Sequence, residues 1–210
     1  MLIPVDEVYK ILNDYKIKVN GVLHIGAHEC EEMPFYKTLN LTENDMIWID
    51  ALPNKCDELK KQNIPNVYNL VITDKDNEDI TFNVANNWQS SSVLNLKTHK
   101  QEHPHIHYMG FYKMKTTTLD TFFKQNVSNP NKYNIWNIDI QGAELLALKG
   151  AGDYVSYADM LYLEVNEKEL YENCGLIGEI DEYLKQYKFK RVYTQMEKYG
   201  WGDAIYVKTD

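Results

Sequence analysis

The sequence predicts an α/β fold built on a mostly parallel sheet. Short apolar runs typical of buried strands alternate with amphipathic segments of helical period, in the order β-α-β-α-β over the first third of the chain. A glycine turn directly after the first run is a second feature of such folds. The length of 210 residues, 44% of them hydrophobic, suits one substantial core. We therefore expect right-handed crossovers and a single domain over residues 1–210.

The first third of the chain supplies three strands and three helices. Val8, Ile11 and Leu12 recur at helical spacing, which predicts an amphipathic helix within residues 1–20. Pro53 lies where another helix would begin, because proline is tolerated in the first turn. We expect helices at residues 5–15, 31–41 and 53–62, and strands at residues 22–25, 46–50 and 66–72.

The middle of the chain departs from this alternation. Residues 79–85 and 107–117 alternate between polar and apolar side chains, as half-exposed strands do, and the polar loop 86–92 follows the first of them. We therefore expect an antiparallel β excursion off the main sheet over residues 78–118, on the side where substrate binds.

The last part of the chain returns to strands and helices. Thr118 is a candidate N-cap for the helix that follows it, and Gly150 or Gly152 would close a later helix. We expect strands at residues 133–139, 159–165, 189–193 and 203–207, and helices at residues 142–149 and 177–187.

The glycine turn and one spaced acid predict a nucleotide or cofactor site. Gly26 and Ala27 allow close backbone approach to a ligand, and a helix beginning near residues 28–30 would direct free N–H groups at a carboxylate or phosphate. Asp50 ends the second strand, close to the ~20-residue offset at which a carboxylate accepts hydrogen bonds from a ribose diol. The two features together predict where a nucleoside would lie.

Two further strands end in acids. If the strands are parallel, Asp139 and Glu164 converge with Asp50 at the sheet edge where ligands bind in open α/β folds. The structural alternative is that Asp139 only caps the helix after it and that Glu164 only makes a structural hydrogen bond.

Composition and charge limit the classes of ligand. Asp and Glu number 31 against 22 Lys and Arg, a formal charge of −9, which disfavours nucleic acid and anionic membranes and suits a small or sugar-like substrate. Three cysteines without CxxC spacing indicate neither a disulfide framework nor a zinc site. With no signal-peptide pattern and no 18-residue apolar run, we expect a cytoplasmic protein without membrane insertion.

Five ordered motifs resemble a known family. They are HIGAHE (24–29), WIDALP (48–53), QSSSV (89–93), TLDT (118–121) and IDIQGAELLALKG (138–150). Together they resemble the FkbM-type S-adenosylmethionine-dependent methyltransferases, over about residues 22–207. The resemblance implies a class I methyltransferase (Rossmann-like) fold: a seven-stranded, mostly parallel sheet with helices on both faces and the last strand inserted antiparallel. It also implies S-adenosyl-L-methionine as cofactor and a hydroxyl group of a sugar or small natural product as acceptor.

The resemblance assigns candidate cofactor contacts to this sequence. Turn residues would hold the methionine part, Asp50 the ribose, the residues after Asp50 and after the third strand the adenine, and Asp139 the region of the methyl group. The set is Gly26, Ala27, His28, Glu29, Asp50, Ala51, Thr73, Asp74 and Asp139. Two positions depart from the family pattern: His28 lies where a second glycine is common, and Gln141 replaces an acid.

An alcohol acceptor benefits from a base that takes its proton as the new bond forms. Asp139 is the first candidate for this catalytic role and Glu164 the second. Candidate substrate contacts are Trp88, Ser91, His99 and Asn166. The histidines of residues 99–107 have alternate spacing that would suit a metal, but Pro104 interrupts it and no cysteine is near, so we expect no metal site. Aromatic residues there would stack on a sugar or cover the excursion's own core.

Three functions compete. The first is O-methylation, by S-adenosylmethionine, of a sugar, a glycan or a small hydroxylated acceptor. The second is a nicotinamide-dependent oxidoreductase, which shares a glycine turn and a ribose acid, although the sequence lacks Gly-x-Gly-x-x-Gly after its first strand. The third is a non-catalytic cofactor-binding subunit that recruits a partner enzyme.

Overall fold

A seven-stranded sheet forms the centre of this computed structural model, which describes residues 1–209. The strands are β1 (Val22–Ile25), β2 (Met46–Asp50), β3 (Val67–Asn69), β4 (Val71–Ile72), β5 (Asp79–Ala85), β6 (Tyr108–Thr117), β7 (Ile135–Ile138), β8 (Met160–Asn166), β9 (Phe189–Met196) and β10 (Trp201–Lys208). The helices are α1 (Val5–Asp14), α2 (Met33–Thr38), α3 (Pro53–Lys61), α4 (His99–Glu102), α5 (Leu119–Asn126), α6 (Glu144–Ala151) and α7 (Ile177–Lys185).

The strand order of the main sheet is β3-β2-β1-β7-β8-β10-β9. In this order, the first five strands, β3-β2-β1-β7-β8, are all parallel to one another, whereas β10 is antiparallel to both β8 and β9. The prediction of seven mostly parallel strands with the last one inserted antiparallel is confirmed. The order places the carboxyl ends of β1, β2, β7 and β8 along one edge.

Each face of the sheet buries a hydrophobic core under helices. Because strand side chains alternate between faces, Leu23 packs with residues of α5, α6 and α7, while its neighbour Val22 packs with residues of α1, α2 and α3. The predicted helices on both faces are therefore present. No helix in the described residues is both long and apolar enough to cross a membrane.

A second, three-stranded sheet has the order β4-β6-β5. The antiparallel pair β5 and β6 is the predicted excursion, and β4 joins β6 in parallel. The predicted strand at residues 66–72 is wrong as one element. The backbone N–H of Leu70 still donates to the Asp50 carbonyl, at 3.0 Å, and the chain then leaves the main sheet, so the run divides into β3 and β4.

The helix after the glycine turn begins later than predicted. His28 and Cys30 have φ values of 41° and 57°, which an α-helix cannot contain, so α2 begins only at Met33. The expected helix start near residues 28–30 is therefore wrong. By contrast, the predicted cap of α5 is present, since Thr118 Oγ1 accepts from the backbone N–H of Thr121 at 3.1 Å.

Candidate active site

A cavity of about 560 Å³ opens at the carboxyl ends of the parallel strands. Gly26, Asp50, Asp139 and Glu164, from four strand ends, all line it. Its size falls within the roughly 300–1,000 Å³ of pockets for small molecules and cofactors. A smaller apolar cavity of about 30 Å³ adjoins it and shares Gly26, Asp50 and Ala51 with it.

Gly26 joins β1 closely to the end of β7. Its φ is +92°, and a Cβ atom there would lie 1.8 Å from the carbonyl oxygen of Asp139. Only glycine fits both the conformation and the space. The backbone N–H groups of Gly26 and Ala27 both donate to the Ile49 carbonyl, at 2.8 and 3.1 Å. These contacts hold the turn, Asp50 and Asp139 around one opening.

Asp50 is fixed by backbone donors while it faces the cavity. The N–H of His28 donates to Oδ2 at 2.7 Å, and the N–H of Leu52 donates to Oδ1 at 2.8 Å. Burial raises the pKa of Asp50, and the two N–H donors oppose that rise. Each carboxylate oxygen keeps a further lone pair for a ligand hydroxyl, so the chemistry of this acid fits a ribose diol.

The lining next to Asp50 is apolar. Ala51 lines both cavities, and the smaller one is bounded by Leu70, Phe82 and Val93. Apolar side chains of this kind are the usual lining for the flat face of an organic ligand.

The turn itself offers few free donors. The N–H of Glu29 donates to Glu31 Oε2 at 3.1 Å, and that of Cys30 donates to the Ala27 carbonyl at 2.7 Å. The backbone N–H groups of Gly26, Ala27 and His28 are also used. In residues 26–30, which the structure describes, the expected row of free N–H groups is therefore absent.

Four of the predicted cofactor residues lie outside both cavity linings. Ala27 is buried behind the turn, and the Glu29 side chain is ion-paired with Lys55 at 2.5 Å. Thr73 and Asp74 pack instead against α6, where a Cβ on Gly150 would lie 2.0 Å from the Thr73 carbonyl oxygen. Neither cavity lining includes any of these four residues.

Gln141 bridges the two candidate bases. Its Nε2 donates to Asp139 Oδ1 at 2.8 Å and to Glu164 Oε1 at 2.9 Å. Its Oε1 accepts from the Tyr171 hydroxyl at 2.6 Å, and its carbonyl accepts from Ser92 Oγ at 2.8 Å. One of the two positions that depart from the pattern of the family the sequence resembles is thus the residue that orients both acids.

Asp139 does not cap α6, contrary to the structural alternative. Glu144 Oε1 accepts the backbone N–H groups of Ile140 and Gly142, at 2.8 and 3.2 Å, and so closes the loop before the helix. Asp139 is left exposed toward the cavity. The structural alternative for Glu164 was a hydrogen bond within the protein, and it holds for one carboxylate oxygen, because Oε1 accepts from Gln141.

The acids at this edge titrate differently. The Asp139 side chain is exposed to the cavity but is surrounded by protein elsewhere, and this desolvation, together with the negative charge of Asp203, raises its pKa to about 6. Burial raises the pKa of Glu144 to about 8. For Glu164, burial and the charges of Asp139 and Glu144 raise the pKa well above its ordinary value. Asp139 is therefore the acid best able to accept a proton near neutral pH.

The predicted substrate contacts Trp88, Ser91, His99 and Asn166 all line the cavity. The only O–H donor of Ser91 is used, since its hydroxyl donates to the Trp88 carbonyl at 2.6 Å, and the same oxygen accepts from the Ala85 N–H at 3.0 Å. His99 Nδ1 and Asn166 Nδ2 are buried without a partner. Burial and nearby His103 lower the pKa of His99 to about 4, so this imidazole is neutral.

The histidine segment, residues 99–107, contributes more side chains to the cavity lining than predicted, and the aromatic residues after it contribute fewer. His103 and His105 line the cavity beside His99, whereas His107 does not. Phe111 is 61% exposed on β6, away from the cavity lining.

Sequence reasoning missed several lining residues. Asp203 on β10 is paired in register with Glu164, and its carboxylate accepts from the Tyr162 hydroxyl. Tyr171 and Trp201 add aromatic surface to the lining. Asp203 and Tyr162 are polar side chains inside apolar strand runs, and this was the signal that could have identified them. The sequence does not reveal the register of β10, which places Asp203 beside Glu164.

Solved structures give three distant likenesses. Magnesium protoporphyrin IX methyltransferase from Synechocystis PCC 6803 with bound SAM is 12% identical, with 98% of this chain and 78% of that chain covered and a TM-score of 0.43. The same enzyme with bound SAH is 10% identical, with 98% and 81% covered and a TM-score of 0.45. A SAM-dependent methyltransferase from Aquifex aeolicus is 12% identical, with 95% and 88% covered and a TM-score of 0.37. No curated protein matches the chain.

One family model matches most of the chain. The Methyltransferase FkbM domain aligns with residues 24–191, which include Gly26, Asp50, Asp139 and Glu164. The match identifies a methyltransferase rather than a nicotinamide-dependent oxidoreductase, and S-adenosylmethionine is the methyl donor. Together with the strand order of the sheet, it shows that the chain belongs to the FkbM methyltransferase domain family.

Proposed function

We propose that this protein methylates a hydroxyl group of a sugar, a glycan or another small hydroxylated acceptor, with residues 1–210 acting as a single catalytic domain. The observation that carries the proposal is one cavity that joins the ribose-type acid Asp50 to the potential base Asp139. Trp88 and Tyr171 line the same cavity and present aromatic surface on which a sugar ring can stack.

The bound cofactor supplies an electrophilic methyl group on a sulfonium. Gly26, His28, Asp50, Ala51 and Asp139 are the proposed contacts, since they line the cavity. Asp50 would accept hydrogen bonds from the ribose hydroxyls, and Ala51 would lie against the adenine. Ala27, Glu29, Thr73 and Asp74, which lie outside the lining, take no direct part in this proposal.

The chain assists methyl transfer by positioning and by proton acceptance. With the cofactor bound, the cavity would hold the acceptor hydroxyl close to the methyl group, and such positioning removes much of the entropic barrier. Asp139 accepts the hydroxyl proton as the oxygen–carbon bond forms and the carbon–sulfur bond breaks. Glu164 is the second candidate base, because burial and the charges of Asp139 and Glu144 raise its pKa well above the ordinary value and so disfavour its ionised form. Gln141 keeps Asp139 oriented.

Calorimetry with S-adenosylhomocysteine tests the cofactor site. We expect wild-type protein to bind it and Asp50→Ala to bind it about tenfold or more weakly, since hydrogen bonds to a charged group contribute about 1.5–3 kcal/mol. Asp57→Ala, which removes an exposed carboxylate from α3, is the matched control and should bind normally. Circular dichroism checks that Asp50→Ala is folded. Absence of binding to wild type, or undiminished binding to folded Asp50→Ala, would contradict the proposal.

Mass spectrometry tests the reaction itself. Candidate glycans and small alcohols incubated with the protein and S-adenosylmethionine should gain one methyl group on oxygen. Cofactor binding without transfer to any acceptor would favour the alternative of a non-catalytic subunit.

A further inference from the structure

The cavity wall is strongly acidic. Six carboxylate side chains line it: Glu31, Glu32, Asp50, Asp139, Glu164 and Asp203. No Lys or Arg is among the lining residues in the described part of the chain, and the α-amine of Met1 is already ion-paired with Glu32 at 3.2 Å. Two histidines of the lining, His24 and His99, have pKa values lowered by burial. A phosphate or carboxylate on the acceptor would therefore meet like charge and no lysine or arginine to pair with.

Three buried polar atoms of this lining lack partners. They are Glu164 Oε2, Asn166 Nδ2 and His99 Nδ1. The three residues are only 5%, 1% and 6% exposed. Buried polar groups are almost always hydrogen-bonded, because leaving one unpaired costs free energy. Three such atoms on one cavity indicate groups that a ligand satisfies, and the carboxylate among them can only accept unless it is protonated.

Glu164 lies in a concentration of negative charge. It is paired in register with Asp203 across β8 and β10, and the charges of Asp139, Glu144 and Asp203 all disfavour its ionisation. Asp203 is held in place by the backbone N–H of Leu2 at 2.5 Å and by the Tyr162 hydroxyl. A cation bound there would offset this repulsion, whereas a neutral ligand would leave it unchanged.

An organic ammonium suits the site better than a metal ion. The carboxylate oxygens of Asp139, Glu144 and Glu164 lie within 4.8 Å of one another, as metal ligands do. However, Gln141 directs its amide nitrogen, a donor, at two of them, and Mg²⁺ and Ca²⁺ require oxygen ligands. A protonated amine carries its own N–H donors and needs only acceptors such as Glu164 Oε2.

We propose that the acceptor is an amino sugar or a similar amino alcohol, whose protonated amine binds Glu164 and Asp203 while the hydroxyl to be methylated faces Asp139. The inference deepens the proposed function and rests on it. Asn166 and His99 would pair with the remaining hydroxyl groups of the same ligand.

The experiment compares acceptors matched in ring and size. The full-length protein with S-adenosylmethionine is offered glucosamine, glucose, N-acetylglucosamine and glucuronic acid at neutral pH, and methyl transfer is followed by mass spectrometry. We expect kcat/KM for glucosamine to exceed that for glucose about tenfold, because a charge-assisted hydrogen bond replaces the weaker one that the 2-hydroxyl of glucose can make. Glucuronic acid should be the poorest acceptor, and a chelator should change nothing.

Glu164→Gln separates acceptor binding from cofactor binding. This isosteric change should abolish the preference for glucosamine over glucose while leaving the affinity for S-adenosylhomocysteine unchanged. Glu167→Gln, at an exposed position three residues along the chain, is the control and should keep the preference.

Several outcomes would overturn the inference. They are equal kcat/KM for the amine and the neutral sugar, preference for the acid, dependence on a divalent cation, and weakened S-adenosylhomocysteine binding in Glu164→Gln, which would assign the acid to the cofactor. If the protein binds S-adenosylhomocysteine but neither methylates nor, by calorimetry, binds glucosamine, the inference fails and the cofactor site stands. Absence of S-adenosylhomocysteine binding to wild type instead defeats the proposed function.

Discussion

Gln141 orients two acids that lie two and three strands away from Asp50, namely Asp139 after β7 and Glu164 in β8. As an amide it donates to both Asp139 and Glu164, and donation to a carboxylate favours the charged form. An acid at position 141 would instead place a further negative charge beside them. The amide thus lowers the pKa of Asp139, against the desolvation and the Asp203 charge that raise it to about 6.

Asp139→Asn should remove the acidic limb of the pH–rate profile. A base must be deprotonated to work, so kcat/KM should be low below pH 6, rise through about 6 and level off above it. The variant should lose roughly 10²–10⁴-fold in kcat/KM, the usual contribution of a general base. The measurement is methyl transfer at constant ionic strength across this range.

Asp14→Asn, which changes an exposed carboxylate at the end of α1, is the control for the loss of one charge and should retain the wild-type profile. If Asp139→Asn kept full activity with the same acidic limb, proton acceptance would belong to another group.

The acids of the site were predictable and the loop contacts were not. Asp50, Asp139 and Glu164 follow apolar runs, and parallel strands necessarily bring such positions to one edge. Thr73 also follows an apolar run, but that run bends into the small sheet after Leu70, which its composition does not reveal. Asp203 was missed because its place beside Glu164 depends on the antiparallel register of β10.

At the scale of elements, hydrophobic period predicted most strands and helices because it reports burial directly. The ends of elements depend on single backbone conformations instead. The positive φ values of His28 and Cys30 delay α2, and the φ of 53° at Gly152 ends α6. Residues other than glycine adopt such angles rarely, so composition gives little warning of them.

Two helical glycines should respond to alanine in opposite directions. In α6, a Cβ on Gly150 would lie 2.0 Å from the Thr73 carbonyl oxygen, so Gly150→Ala should destabilise the protein by roughly 1–3 kcal/mol despite its better helix propensity. In α7, nothing lies within 4 Å of a Cβ on Gly178. Gly178→Ala should therefore stabilise by about 0.4–1 kcal/mol.

Urea unfolding of both variants measures these changes, and each variant serves as the control for the other. A stabilised Gly150→Ala would show that α6 can move away from β4 at little cost.

At the scale of the whole molecule, the two cores share one sheet, and the small sheet is joined to one of them, because Ile72 of β4 belongs to the core under α5, α6 and α7. Leu70 links β3 to β4, and the core of the small sheet packs Phe82 against Leu52, which follows Asp50. The cavity therefore lies between parts of the chain that depend on each other for their position.

Heating should accordingly unfold the protein in one cooperative transition, with equal calorimetric and van't Hoff enthalpies. S-adenosylhomocysteine at a hundred times its Kd should add about 2.7 kcal/mol of stability and raise the Tm of that single transition by roughly 5–10 °C. NADH, the control ligand, should leave the Tm unchanged. Two separate transitions, with only one shifted by S-adenosylhomocysteine, would instead mean that the excursion of residues 78–118 unfolds independently. Cooperative unfolding requires that the excursion and the main sheet stabilise each other. Without it, the cavity wall formed by Trp88 and His99 would not be held in place by the main sheet, which carries Asp50 and Asp139.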